Sequence, residues 1–153
     1  MTTDPDPCAL REHRQFDFWL GDWNVHYPDG RLAGRNRIVS LFDGCVLHES
    51  WEGAGGHRGT SFNIYDAARG VWHQTWVDSS GMLLVLEGGL QADAMVLEGK
   101  AASPTEPTQT VRHRISWTLI DGDPDRVRQH WEISADGTSW ETLFDGRYAR
   151  RRD

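Results

Sequence analysis

The sequence predicts an all-β fold: a closed antiparallel barrel of about ten strands running up and down, with a short N-terminal helix closing one end. Three observations lead there. From residue 21 onward apolar and polar residues alternate with a period of two, as in strands with one buried face. Turn signals such as Pro28-Asp29-Gly30, Asp43-Gly44, Ser79-Ser80-Gly81, Asp121-Gly122 and Asp136-Gly137 recur at the short spacing of an all-β domain. No helical stretch separates the strands, so a parallel sheet with crossovers is disfavoured. A β-sandwich would need longer crossovers than these turns provide, whereas closure into a barrel leaves no exposed sheet edge.

The elements follow in order. Residues 1–7 read as a frayed tail. Pro7 suits the first position of a short helix over about 8–15, with Asp6 as its cap. Residues 1–15 thus form the tail and helix, and 16–153 a single barrel domain. The segment Phe16-Asp17-Phe18-Trp19-Leu20-Gly21-Asp22-Trp23 packs four large aromatics and a glycine into eight residues. Aromatics of this size seek burial, so Phe16, Phe18, Trp19 and Trp23 read as a plug in one barrel end. Gly21 lets the chain turn into the first strand. Strands are expected over about 22–27, 34–42, 45–52, 60–65, 71–77, 82–88, 95–100, 110–120, 126–134 and 140–149. Residues 53–59, with four glycines, form a loop suited to a flexible lid over the open end.

Alternation assigns the faces. Trp23, Val25 and Tyr27 share one; so do Leu47, Glu49 and Trp51, and Trp72, Gln74 and Trp76. In the later strands the corresponding sets are His113, Ile115 and Trp117; Val127, Gln129 and Trp131; and Trp140, Thr142, Phe144 and Tyr148. Eight tryptophans in 153 residues, mostly on these faces, assign them to the interior. Asn36, Glu49, Asn63, Gln74, His113 and Gln129 fall among the aromatics. Each buried polar group without a partner costs about 1–3 kcal/mol. Their convergence therefore points to a partly polar cavity that holds water or a ligand. The competing reading is a hydrogen-bond network that only fixes the fold.

Composition limits the function. A net charge of −7 argues against nucleic acid as a partner. The basic cluster of Arg147 and Arg150-Arg151-Arg152 reads as a solvated strand end. No stretch is long and apolar enough for a membrane helix, and the polar, acidic start lacks the pattern of a secretory signal. A cytoplasmic protein is expected. Cys8 and Cys45 are too few for a disulfide scaffold and read as free thiols, Cys45 a buried one. On the outer face, Val77, Phe62 and Ile64 would form an apolar patch suited to a homodimer contact.

Several stretches carry a resemblance. Gly21-Asp22-Trp23 resembles the Gly-x-Trp opening of the calycin barrels, which include the lipocalins. The longer pattern begins at Phe16 and continues through Asp43–Glu49, Gly59–Asp66, Trp72–Asp78 and Arg126–Glu132. Over about residues 15–150 it resembles a bacterial family of unknown function. That likeness implies a calycin-like barrel and supplies no activity. The chain is also similar in length and first-strand tryptophan to nitrobindin-type haem barrels. Those carry alternate glycines where this chain has Val25 and Tyr27, which would crowd a flat macrocycle. No cofactor is therefore expected, with haem the lesser alternative.

Motifs for chemistry are sparse. The seven histidines form neither His-x-His nor His-Glu-x-x-His, and no metal site is expected. There is no Gly-x-Ser-x-Gly elbow, and the glycine-rich loop lacks the ending of a phosphate loop. The expectation is a barrel that binds a small apolar or aromatic molecule. Its binding set is Asn36, Glu49, Asn63, Tyr65, Gln74, Trp76, His113, Trp117, Gln129 and Trp131. The alternative is an isomerase, cyclase or hydrolase using Glu49 and His113 as an acid–base pair.

Overall fold

The computed structural model describes residues 6–152, so the frayed-tail reading of the first five residues lies outside the described residues. Ten strands form one closed antiparallel barrel. They are β1 (Gly21–His26), β2 (Leu32–Leu41), β3 (Val46–Gly53), β4 (Arg58–Asp66), β5 (Val71–Asp78), β6 (Leu83–Gln91), β7 (Ala94–Ala102), β8 (Thr110–Ile120), β9 (Asp123–Ser134) and β10 (Glu141–Arg150). Each strand pairs with its sequence neighbours, and β1 closes the ring on β10 with Trp23 opposite Arg150 and Val25 opposite Tyr148. The period of two therefore decides burial along the wall, as expected.

The N-terminal helix is shorter than its sequence suggests. It consists of two 3-10 turns, Arg11–Arg14 and Asp17–Trp19, and the first has no side-chain cap. Asp6 instead accepts a hydrogen bond from the Cys8 amide, one turn too early to start the helix. The turns deliver the plug. Phe16 stacks on Trp19 at 4.9 Å and meets the edges of Trp117 and Trp72 at 5.0 and 5.7 Å. The Trp23 indole N–H donates to the Trp19 carbonyl at 2.9 Å. Phe16, Trp19 and Trp23 are fully buried, and Phe18 packs partly against them. At the hinge into β1, Gly21 has a φ of +139°, and a Cβ there would run into the Arg150 guanidinium. That guanidinium donates to the Leu20 carbonyl and lies 4.2 Å from the centre of the Trp23 ring.

Three expectations are corrected. Cys8 and Cys45 are not free thiols but form a disulfide, with Cα atoms 5.2 Å apart. The plug brings the N-terminal segment back across the β2–β3 loop, and a sequence separation of 37 becomes a contact. Cys45 is accordingly only half-buried. The basic cluster is not a simple solvated end, because Arg150 holds the plug hinge and also pairs with Asp125 at 3.0 Å. Trp140 and Thr142 do not share the inner face of Phe144 and Tyr148. A register shift between Thr142 and Phe144 inverts the alternation there. Thr142 bonds His130 on the outer wall, and Trp140 lies under the Arg114 guanidinium at 3.9 Å. Phe62, Ile64 and Val77 are exposed on the outer wall, where Leu83 and Val85 extend the patch.

Candidate functional site

The strand order puts the plug at one end of the barrel. At the other end lie the β1–β2, β3–β4, β5–β6, β7–β8 and β9–β10 connections. Between them is a cavity of about 380 Å³. This is the size of an ordinary small-molecule site, which runs from about 300 Å³ upward. Its upper wall is aromatic: Tyr27 and Trp51 both meet Phe144 edge-on at 5.9 and 6.0 Å, and Trp76 and Trp131 also line it. Leu84 and Ile115 supply the aliphatic part. The Trp76 ring packs over Gly59, its diagonal neighbour on the adjacent strand β4, where a Cβ would fall 2.1 Å from the ring.

The rim is built from the glycine-rich loop. Gly53, Ala54, Gly55 and His57 border the opening. The loop is tied down by backbone bonds from Gly53 to His57 at 2.7 Å and from Ala54 to Ala33 at 2.9 Å. His57 Nε2 lies 3.2 Å from Asp78 Oδ2, and the Trp76 indole donates to the same oxygen at 3.1 Å. Burial opposes ionisation of Asp78. Donors from Ser80, Trp76 and Met82 outweigh it and hold the carboxyl below its ordinary value.

The floor is polar and continuous. Gln74 donates to Asn63 at 2.7 Å, Asn63 to Ser61 at 2.9 Å, and Ser61 to Glu49 Oε1 at 2.7 Å. From the other side Asn36 Nδ2 donates to Glu49 Oε2 at 2.7 Å and to the Tyr148 hydroxyl at 2.8 Å. Tyr148 in turn donates to Gln129. Strand register explains the cluster: Glu49 faces Ser61 across β3–β4, and Asn63 faces Gln74 across β4–β5. Burial pushes the Glu49 carboxyl up to about 7, against the hydrogen bonds from Ser61 and Asn36. Burial and the neighbouring Glu49 raise the Tyr148 phenol well above its ordinary value.

The ten sequence-predicted binding residues separate into groups. Glu49, Gln74, Trp76, Gln129 and Trp131 line the cavity. Asn36 and Asn63 are buried behind them and reach it through Glu49 and Gln74. Tyr65 and Trp117 belong to the plug end: Tyr65 meets His13 and Trp72, and Trp117 meets Phe16 and Trp19. His113 is fully buried, accepts the Trp131 indole N–H on Nδ1 at 3.0 Å, and donates from Nε2 to the Ala102 carbonyl at 3.0 Å. Burial lowers its pKa, which suits this neutral tautomer. His113 and Glu49 thus have separate partners and do not hydrogen-bond to each other. His113 holds Trp131 in place.

Trp51, Phe144, Tyr148 and Tyr27 also line the cavity, on the inner faces that alternation assigns but outside the expected binding set. Their positions near the strand ends that border the opening were the missing signal. No sequence motif marks Ser61, and only the register across β3–β4 reveals its bond to Glu49. Among the described residues, no three His, Cys, Asp or Glu side chains group as metal ligands. A haem in this cavity would need an axial ligand from its wall. Among the described lining residues His57 is the only histidine, and it is engaged with Asp78.

Fold and site together define a closed ten-stranded up-and-down barrel, plugged at one end, with an aromatic-walled, polar-floored cavity open at the other. The chain belongs to the family described as Protein of unknown function (DUF1579), whose model matches residues 9–150. No curated protein matches it in sequence. Among the described residues no helix is long and apolar enough to cross a membrane.

Proposed function

We propose that the protein binds a small apolar or aromatic molecule inside the barrel. The observation that carries this reading is the cavity itself, about 380 Å³ walled by Trp51, Trp76, Trp131 and Phe144 over an uninterrupted polar floor. Flat aromatic walls suit a flat ligand body, and a few fixed polar groups orient it. The Gly21-Asp22-Trp23 opening and the closed up-and-down order support counting the chain among the calycin-like barrels. The Cys8–Cys45 disulfide weighs against the expected cytoplasmic placement, since such bonds persist mainly in oxidising compartments.

The neutral fluorophore N-phenyl-1-naphthylamine provides the test. Saturable one-site binding with quenching of tryptophan emission is expected, and it should disappear in Leu84→Trp, which fills the cavity. A protein that never binds the probe, or a Leu84→Trp variant that binds it unchanged, would defeat the reading.

A further inference from the structure

We propose that the ligand of this cavity is an organic cation: a protonated amine on a flat apolar body, with its nitrogen against Glu49 and its body between the indoles. This rests on the small-molecule reading above and narrows it.

The direction of the floor hydrogen bonds carries the inference. From Gln74 through Asn63 to Ser61, every donor points toward Glu49, and Asn36 points its N–H there from the opposite side. Both carboxyl oxygens receive a neutral donor, the arrangement that favours a carboxylate. Yet among the described residues no cation faces it. β2 presents Asn36 and Ile38, β4 presents Ser61, and β10 presents Tyr148. Tyr148 stays a neutral phenol, its pKa raised by burial and by Glu49. Among the described residues lining the cavity there is no Lys or Arg, and His57 on the rim is occupied by Asp78. Each Glu49 oxygen accepts one hydrogen bond and so retains a lone pair for another donor.

An unpaired buried carboxylate is costly, and a cation placed beside it removes that cost. The walls favour the same guest, because tryptophan, tyrosine and phenylalanine faces attract cations. In the empty barrel, burial keeps the carboxyl protonated up to about 7. A bound ammonium would ionise it well below that pH. Anionic guests meet Glu49 with no compensating Lys or Arg among the described lining residues. Neutral guests satisfy Gln74 and Gln129 but leave the carboxylate without a counter-ion.

A set of probes with one ring system tests this: tryptamine, tryptophol and indole-3-acetate, measured by isothermal titration calorimetry. At about pH 8 tryptamine should bind about tenfold or more tighter than tryptophol, with indole-3-acetate weakest. At about pH 6, titrations in buffers of different ionisation enthalpy should show nearly one proton released with tryptamine and none with tryptophol. Glu49→Gln should erase both the preference and the proton release; the wild-type proton count stands even if that variant folds poorly. Tryptophol binding as tightly as tryptamine at about pH 8 would overturn the cation proposal and leave the small-molecule reading in place, whereas a tryptamine preference without proton release would support it with Glu49 already ionised in the empty barrel. Failure of all three probes and of N-phenyl-1-naphthylamine would remove both.

Discussion

The two ends of the barrel use the same residue type for opposite purposes. At the plugged end Trp19, Trp23, Trp72 and Trp117 are almost completely buried and pack on one another and on Phe16. The Cys8–Cys45 disulfide fastens the segment that carries the plug to the β2–β3 loop. Closing a loop of that length constrains the unfolded chain by about 2–4 kcal/mol. At the open end Trp51, Trp76 and Trp131 stand around empty space, and the indole nitrogens of Trp76 and Trp131 are tied to Asp78 and His113. An indole whose every face has a protein neighbour stabilises the fold. An indole held by its edge, with a face toward a cavity, is presented to a guest. The difference lies in what each ring packs against, not in composition.

This contrast is broken most severely at the plug. Trp19→Ala removes a fully buried indole from between Phe16 and Trp117 and should cost about 3–5 kcal/mol in chemical denaturation. Probe binding at the far end should survive wherever the variant is folded. A loss below about 1 kcal/mol would mean that the plug is an accessory to the barrel and not part of its core.

The fold was legible because alternation in a barrel has a single meaning: one face in, one face out. It failed where the backbone departed from that rule. The bulge at Thr142–Phe144 sends Trp140 and Thr142 outward, and no residue type in the segment announces the extra position. The site was legible as far as burial, since Asn36, Glu49, Asn63, Gln74, His113 and Gln129 are all buried. Height along the barrel axis was not legible from face assignment alone. Tyr65 and Trp117 point inward as Trp76 and Trp131 do, but they meet the plug, whereas the latter meet the cavity. Pairing of side chains across strands was hidden too. Glu49 and His113 looked like an acid–base pair by type, yet Glu49 is served by Ser61 and Asn36 and His113 by Trp131 and Ala102. The disulfide escaped for the same reason: it depends on where the plug brings Cys8.

Between the two ends lies the Glu49 floor, and its effect should appear as a pH dependence. Glu49 has a folded pKa near 7, above its ordinary value of 4.5. The folded protein therefore binds this proton more tightly than the unfolded chain. The stabilisation is complete below about 4.5 and is lost as pH rises through about 7. The difference should be on the order of 3 kcal/mol. Glu49→Gln should flatten this part of the stability profile. Asn36 can turn its amide to meet the new side chain, because its Oδ1 has no partner among the described residues. A wild-type profile that rises from pH 5 to 8, or one that Glu49→Gln leaves unchanged, would show that the Glu49 carboxyl is already ionised in the empty barrel.

The smallest effect on stability belongs to the rim. His57 is 47% exposed and lies 3.2 Å from Asp78, whose side chain is only 4% exposed. A half-exposed pair of this kind contributes roughly 0.5 kcal/mol or less. Asp78 also keeps its donors from Ser80, Trp76 and Met82 when His57 is removed. His57→Ala should therefore leave the denaturation midpoint nearly unchanged. It does remove a side chain that borders the opening and lies 6.5 Å from the Trp76 ring. Release of a bound probe in stopped-flow fluorescence should accelerate, with a smaller change in its association rate. Were the variant instead to lose stability on the scale of the plug substitution while releasing the probe at the wild-type rate, the rim would be structural, and the two ends would differ in shape alone.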